Sequence, residues 1–208
     1  MLPLHNWLGQ IDLCRIYCLP VQTIDSTMNC PAGRVGFISY RQKGEYMENR
    51  GLDFRKAQQN DAAPVLSLYE SAKSDALCVW DESYPSMAEI AHDLETENLY
   101  VMTDGGKVMG AISIVPENEL DRFGCWSCKD GKEIARVVIH KDHQGRGLSF
   151  EMVQSIVAIL QKNGCHAIHL SVVKTNLPAY KTYKKAGFAV VGQAQMYGND
   201  YYLMEKLC

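Results

Sequence analysis

The stretch from Glu133 to Leu160 limits the possible folds of this chain more than any other. It reads Glu-Ile-Ala-Arg-Val-Val-Ile-His, then Lys-Asp-His-Gln-Gly-Arg-Gly-Leu-Ser, then Phe-Glu-Met-Val-Gln-Ser-Ile-Val-Ala-Ile-Leu. The short β-branched opening predicts a buried strand. Leu148, Met152, Val153, Ile156, Val157 and Leu160 recur at helical spacing and predict an amphipathic helix. Between them, Gln144-Gly145-Arg146-Gly147 is a turn whose glycines let backbone N–H groups approach a ligand closely. Strand, glycine turn and helix N-terminus together make a ready site for a phosphate or pyrophosphate.

Two nucleotide readings of that site fail. A dinucleotide fold wants a third glycine at Phe150 and an acidic residue about 20 positions beyond the turn, and neither is present. A phosphate loop of the Gly-Lys-Ser/Thr kind is absent as well. The formal net charge of −3 gives no electrostatic case for nucleic acid or an anionic membrane as the main partner. No apolar run is long enough for a transmembrane helix, and Asp12 and Arg15 interrupt the only apolar stretch near the N-terminus.

A second motif lies downstream. Leu170-Ser-Val-Val-Lys-Thr-Asn-Leu-Pro-Ala-Tyr-Lys-Thr-Tyr-Lys-Lys-Ala-Gly-Phe188 predicts a strand, an asparagine cap, a helix and a glycine stop. Gln144, Gly147 and Ser149 resemble the Gln/Arg-x-x-Gly-x-Gly/Ala signature of the GNAT superfamily of N-acetyltransferases. Asn176, Ala179, Tyr183, Gly187 and Phe188 resemble the same family's closing motif. The resemblance spans roughly Leu52 to Lys206. It implies a three-layer α/β fold around a central mixed, mostly antiparallel sheet, with acetyl-CoA as co-substrate and an amine as acceptor.

Along the chain, residues 1 to 46 lack a sustained period and hold three of the eight cysteines. Lys43-Gly44-Glu45 precedes Met47, and its codons readily spell a purine-rich ribosome-binding tract. The expectation is therefore a leader over 1–46 that is untranslated upstream sequence, with a small packed extension as the rival, and one domain over 47–208. From Leu52 the predicted order is β-α-α-β-β-β-α-β-α-β-β. Asn60 or Asp61 is the expected cap of the first helix, and Ser86-Met-Ala-Glu89 is a capping box. Asp104-Gly105-Gly106 is a hairpin turn, and Glu117 to Lys132 reads as a polar loop. Irregularly spaced cysteines with no secretory signal predict reduced thiols in a cytoplasm. Cys125-Trp-Ser-Cys128 lacks the further ligands a zinc site needs, so no metal is expected.

Acetyl transfer to an amine needs four tasks done, and the resemblance assigns residues to them. Backbone N–H groups over Gln144, Gly145, Arg146, Gly147, Leu148 and Ser149 would hold the pyrophosphate. Backbone groups at Val137, Val138 and Ile139 would meet the thioester carbonyl, on a strand that splays from its neighbour at Leu170 to Val173. Tyr183 would protonate the leaving thiolate, and Asn176 would bond the pantetheine arm or simply cap its helix. Glu133, expected to share a face with Ile139 under strand alternation, is the candidate base, with a chain of ordered water leading to backbone carbonyls as the alternative that the resemblance leaves open. Trp80, Tyr84, Tyr201 and Tyr202 are weaker candidates for the acceptor pocket. The expected partner is an amine-bearing small molecule or peptide, in a chain that can form a homodimer. A catalytically silent acyl-CoA-binding module is the alternative from a different class.

Overall fold

The computed structural model describes residues 51–115 and 119–208. The leader, and with it the expected start at Met47, lies outside the described residues. Seven strands form one sheet in the order β1-β2-β3-β4-β5-β7-β6. They are β1 (Leu52–Lys56), β2 (Leu99–Asp104), β3 (Lys107–Val115), β4 (Lys132–Ile139), β5 (Ala167–Val173), β6 (Ala189–Met196) and β7 (Asn199–Leu207). Only β4 and β5 run parallel; the other neighbours are antiparallel. Helices α1 (Ala62–Lys73) and α2 (Met87–Glu95) cover one face. Helices α3 (Leu148–Lys162) and α4 (Leu177–Lys185) cover the other. The element order is the one expected from the sequence.

Local chemistry explains the elements. Apolar residues of α3 at Leu148, Met152, Val153, Ile156, Val157 and Leu160 are all buried, so the predicted stripe is the face that meets the sheet. Ser86 opens α2: its Oγ accepts from the Ala88 N–H at 3.1 Å, while Glu89 Oε2 accepts from the Ser86 N–H at 2.7 Å. Gly105 and Gly106 both take positive φ in the two-residue β2–β3 turn, which matches the right-handed twist of the strands it joins.

Two expectations need correction. Asp61 does not cap α1 with its side chain. Its carboxylate instead accepts two hydrogen bonds from the Arg55 guanidinium (2.7 and 3.1 Å) and one from the Gln58 N–H, because this ion pair ties β1 to the start of the helix. The connection before β4 is also not simply polar. Leu120, Phe123 and Trp126 are buried in a third apolar cluster with Val173, Met196, Tyr201 and Leu203. Their three-residue spacing anchors the loop against the β5–β7–β6 end of the sheet.

Candidate active site

The sheet is split. β4 and β5 pair only where Lys132 faces Ile168 and Glu133 faces His169. Beyond Glu133, β4 keeps β3 on one side and borders a cleft of about 1480 Å³ on the other. The splay implied by the family resemblance is therefore present. The cleft reaches both faces of the sheet: Leu68 and Trp80 line it from the α1–α2 side, and Leu148, Ala179 and Tyr183 from the α3–α4 side.

A bulge in β4 accompanies the split. Ala111 faces Val138 and Ser113 faces Ala135, so β4 spends three steps where β3 spends two. The extra residue is at Arg136, whose φ of 51° lies in the left-handed region. At the same place a Cβ on Gly110 would sit 2.9 Å from the Val138 carbonyl oxygen, so β3 needs a glycine there to let β4 approach. The bulge overturns the expected shared face of Glu133 and Ile139. Ile134 and Ile139, five residues apart, both belong to the α3–α4 core, whereas Val138 belongs to the α1–α2 core. Strict alternation would put Ile134 and Ile139 on opposite faces. Glu133, next to Ile134, therefore faces the α1–α2 side, opposite to Ile139.

The bulged residue is held by its side chain. Arg136 donates to both carboxylate oxygens of Asp93 (2.8, 2.9 and 3.1 Å), and Asp93 also accepts from Ser113 Oγ at 2.6 Å. The Arg136 and Asp93 side chains are only 9% and 1% exposed. A third contact runs from Arg136 to the Tyr84 hydroxyl at 3.1 Å, linking the bulge to the α1–α2 loop.

Glu133 lines the cleft and is 8% exposed. Its Oε2 has no hydrogen-bond partner. Burial, reinforced by the charges of Glu119 and Asp121, pushes the carboxyl up to about 7, against the Leu120 N–H and the Arg136 charge, which pull it down. Across the cleft wall Tyr183 is buried on α4, one turn beyond Ala179, with its ring edge-on to Phe188 at 6.0 Å. Burial raises the phenol pKa well above its ordinary value, so the hydroxyl keeps its proton at neutral pH.

The glycine turn closes the far end. Gly145 and Gly147 take φ of 73° and 83°, with open space where a Cβ would stand. Gly147 occupies the N-cap position of α3 and supplies no side-chain cap, so the first N–H groups of a 15-residue helix are left without a side-chain acceptor. That arrangement suits an anionic group. Gln144, Gly145, Leu148 and Ser149 line the cleft, with His140, Lys141 and His143 beside them. Arg146 and Gly147 do not belong to its lining.

The sequence profile of the acetyltransferase (GNAT) family matches residues 65–188, more than half of the chain. The chain belongs to the GNAT family of acetyltransferases. It is 21% identical over 155 residues to an L-methionine sulfoximine/L-methionine sulfone acetyltransferase of Salmonella typhimurium, covering 71% of this chain and 85% of that one. It is 23% identical over 158 residues to the L-amino acid N-acyltransferase MnaT of Escherichia coli, with 72% and 87% covered. Among solved structures it resembles yncA, a putative acetyltransferase from Salmonella typhimurium with its cofactor acetyl-CoA. That match has a TM-score of 0.62 at 20% identity and covers 75% of this chain and 93% of that one. As a GNAT acyltransferase the chain is an enzyme.

The GNAT cleft sorts the remaining candidates. Val137, Val138 and Ile139 line it, as expected of the strand edge. Trp80, Tyr84 and Tyr201 line it as well. Tyr202 does not: β7 alternates, and Tyr202 points to the opposite face, where it packs on Tyr180 at 5.1 Å and under Lys174. Asn176 reaches the cleft, but its Oδ1 caps α4 through the Ala179 N–H at 3.1 Å and its Nδ2 donates to the Leu77 carbonyl. The capping role is thus realised, at a residue that also lines the cleft. Among the described residues no group of three or more metal-ligating side chains occurs. Sequence reasoning missed Asp93 and Arg136. An arginine inside the apolar run Ile134 to Ile139 was the available signal, since a buried guanidinium needs a buried carboxylate.

Proposed function

We propose that this chain transfers the acetyl group of acetyl-CoA directly to a primary amine of a small molecule or peptide. One observation carries the reading: the open glycine turn, the free edge of β4, Glu133 and Tyr183 all border one cleft through a split sheet. The N–H groups around Gly145 to Ser149 hold the pyrophosphate, and the basic residues beside them add to its attraction. Backbone groups at Val137 to Ile139 stabilise charge on the thioester carbonyl oxygen as it forms. Glu133 takes a proton from the acceptor ammonium, which at an ordinary value of ~10.4 for an alkylamine is otherwise protonated. The amine nitrogen then attacks the carbonyl carbon, the carbon–sulfur bond breaks, Tyr183 gives its proton to the departing thiolate, and the second proton of the acylated nitrogen returns to the Tyr183 phenolate.

The relatives support transfer to an amine, since two of them carry the names of amino-acid acyltransferases. No relative supports the silent binding module. Among the described residues no helix is long and apolar enough to cross a membrane. The test is thiol release from acetyl-CoA in the presence of an amine and peptide panel. Thiol release that depends on an amine confirms the reading. Acetyl-CoA binding without turnover of any amine refutes it.

A further inference from the structure

The cleft is electrically divided. Its carboxylates are Asp75, Asp81, Glu89, Asp93, Glu119 and Glu133, all on the chain between α1 and the start of β4. Lys141, with His140 and His143, lines the cleft at the glycine turn instead. The division suits two ligands of opposite charge, with the anionic one at the turn.

The two guanidiniums at the acidic end do little to offset it. Arg136 is committed to both oxygens of Asp93 and to the Tyr84 hydroxyl. Arg122 is exposed and lies over the Phe123 ring, 5.0 Å from its centre. Neither presents a free, buried fork to a carboxylate of a ligand. Glu133 points the same way by independent chemistry. It is more than nine-tenths buried, lines the cleft, and keeps Oε2 without a hydrogen-bond partner. An ionised carboxylate only accepts, so the missing partner is a donor, best a charged one. Glu119, exposed in the lining, carries a charge that is felt at Glu133 and gives a second cation a place to rest.

We propose that the acceptor is a small diamine: its reacting nitrogen sits beside Glu133, its second ammonium lies against Glu119, and no carboxylate flanks either nitrogen. This rests on the N-acetyltransferase reading and narrows it. It also separates this chain from the two relatives named for amino-acid substrates, since an α-carboxylate beside Glu133 would meet the acidic wall, where the buried Arg136 is already committed to Asp93. Identities of 21% and 23% leave room for the acceptor end to differ.

Matched pairs test it. 1,5-Diaminopentane is lysine without its carboxylate, and pentylamine is the same chain without the second charge. 1,3-Diaminopropane and 2,4-diaminobutanoate form a shorter pair. The kcat/KM for each diamine should exceed that of its carboxylate partner and of the monoamine by ~10-fold or more, a factor worth about 1.4 kcal/mol. The advantage over pentylamine should shrink as salt rises. Glu119→Gln should cut that advantage severalfold through KM, with acetyl-CoA affinity unchanged. Lysine or methionine turned over as well as the diamines would overturn the inference and leave the N-acetyltransferase standing. Turnover of no amine at all would remove both.

Discussion

Replacing Glu133 by glutamine should slow the enzyme and make it more stable, with both effects growing as pH rises. Glutamine keeps the volume of a side chain that is 8% exposed and removes its charge. Burial and the nearby Glu119 and Asp121 move the carboxyl from an ordinary 4.5 to about 7. At roughly 1.4 kcal/mol per factor of ten, that displacement costs the folded state about 3 kcal/mol once the group is ionised in both states. The sign follows from proton counting. Below 4.5 the group is protonated whether folded or not, and nothing is lost. Between 4.5 and about 7 the folded state holds the extra proton, so stability falls as pH rises. Above that window the full penalty applies. Chemical denaturation of the parent and Glu133→Gln at pH 5 and pH 8 should therefore show a stability difference that grows by about 2 to 3 kcal/mol in favour of glutamine. Any constant cost of burying the amide cancels between the two pH values. In parallel, the parent kcat/KM should rise with pH through about 7 as the base ionises. The variant should lose that limb and fall ~10²-fold or more at neutral pH. A stability difference that ignores pH would mean that the carboxyl is not displaced. Superimposable pH–rate profiles would hand the proton to water.

Three further outcomes are expected. Tyr183→Phe keeps the ring and removes the acidic proton, so kcat should drop by about 10²-fold with acetyl-CoA affinity hardly moved, as single-turnover kinetics and calorimetry would show; wild-type turnover returns Tyr183 to the core. Gly147→Asp places a side chain and a negative charge at the mouth of α3, at a φ of 83° that aspartate tolerates better than most residues; acetyl-CoA binding measured by calorimetry should collapse while circular dichroism stays native, and unchanged affinity would move the anion site elsewhere. Asp93→Ala leaves the Arg136 guanidinium buried without its carboxylate, so unfolding free energy should fall by about 3 to 5 kcal/mol; a loss below 1 kcal/mol would show that the pair is not the anchor of the bulge.

Much of the fold was legible because it rests on local rules. The α3 stripe, the Ser86–Glu89 box and the Gly105-Gly106 turn each act within a few residues, and each is where the pattern put it. The cleft's split was implied by the family motifs rather than by any period. What escaped depends on contacts distant in sequence. Asp93 and Arg136 lie 43 residues apart, and nothing near either residue names the other. Tyr202 lies outside the cleft because it packs on Tyr180 of α4, a contact that no local period announces. Leu120, Phe123 and Trp126 were lost among polar neighbours, since three anchors at helical spacing stand out only once the opposing cluster is known.

The bulge at Arg136 is what lets one strand serve both sides of the sheet. Without the extra residue, Glu133 and Ile139 would share a face, and the carboxylate would point into the apolar layer under α3. With it, Ile134 and Ile139 both stay in that layer, while Glu133 faces the α1–α2 side, where Tyr84 and Glu119 stand at the acidic end of the cleft. A non-glycine residue at positive φ is strained by about 1 kcal/mol or more and persists only where its surroundings over-determine it. Here the Asp93 and Ser113 contacts supply that determination from α2 and β3, the two elements packed over the bulge. The same contacts neutralise an arginine that the bulge would otherwise leave buried and unpaired. The clamp therefore does two things at once: it fixes which face carries Glu133, and it sets a carboxylate against the charge of Arg136.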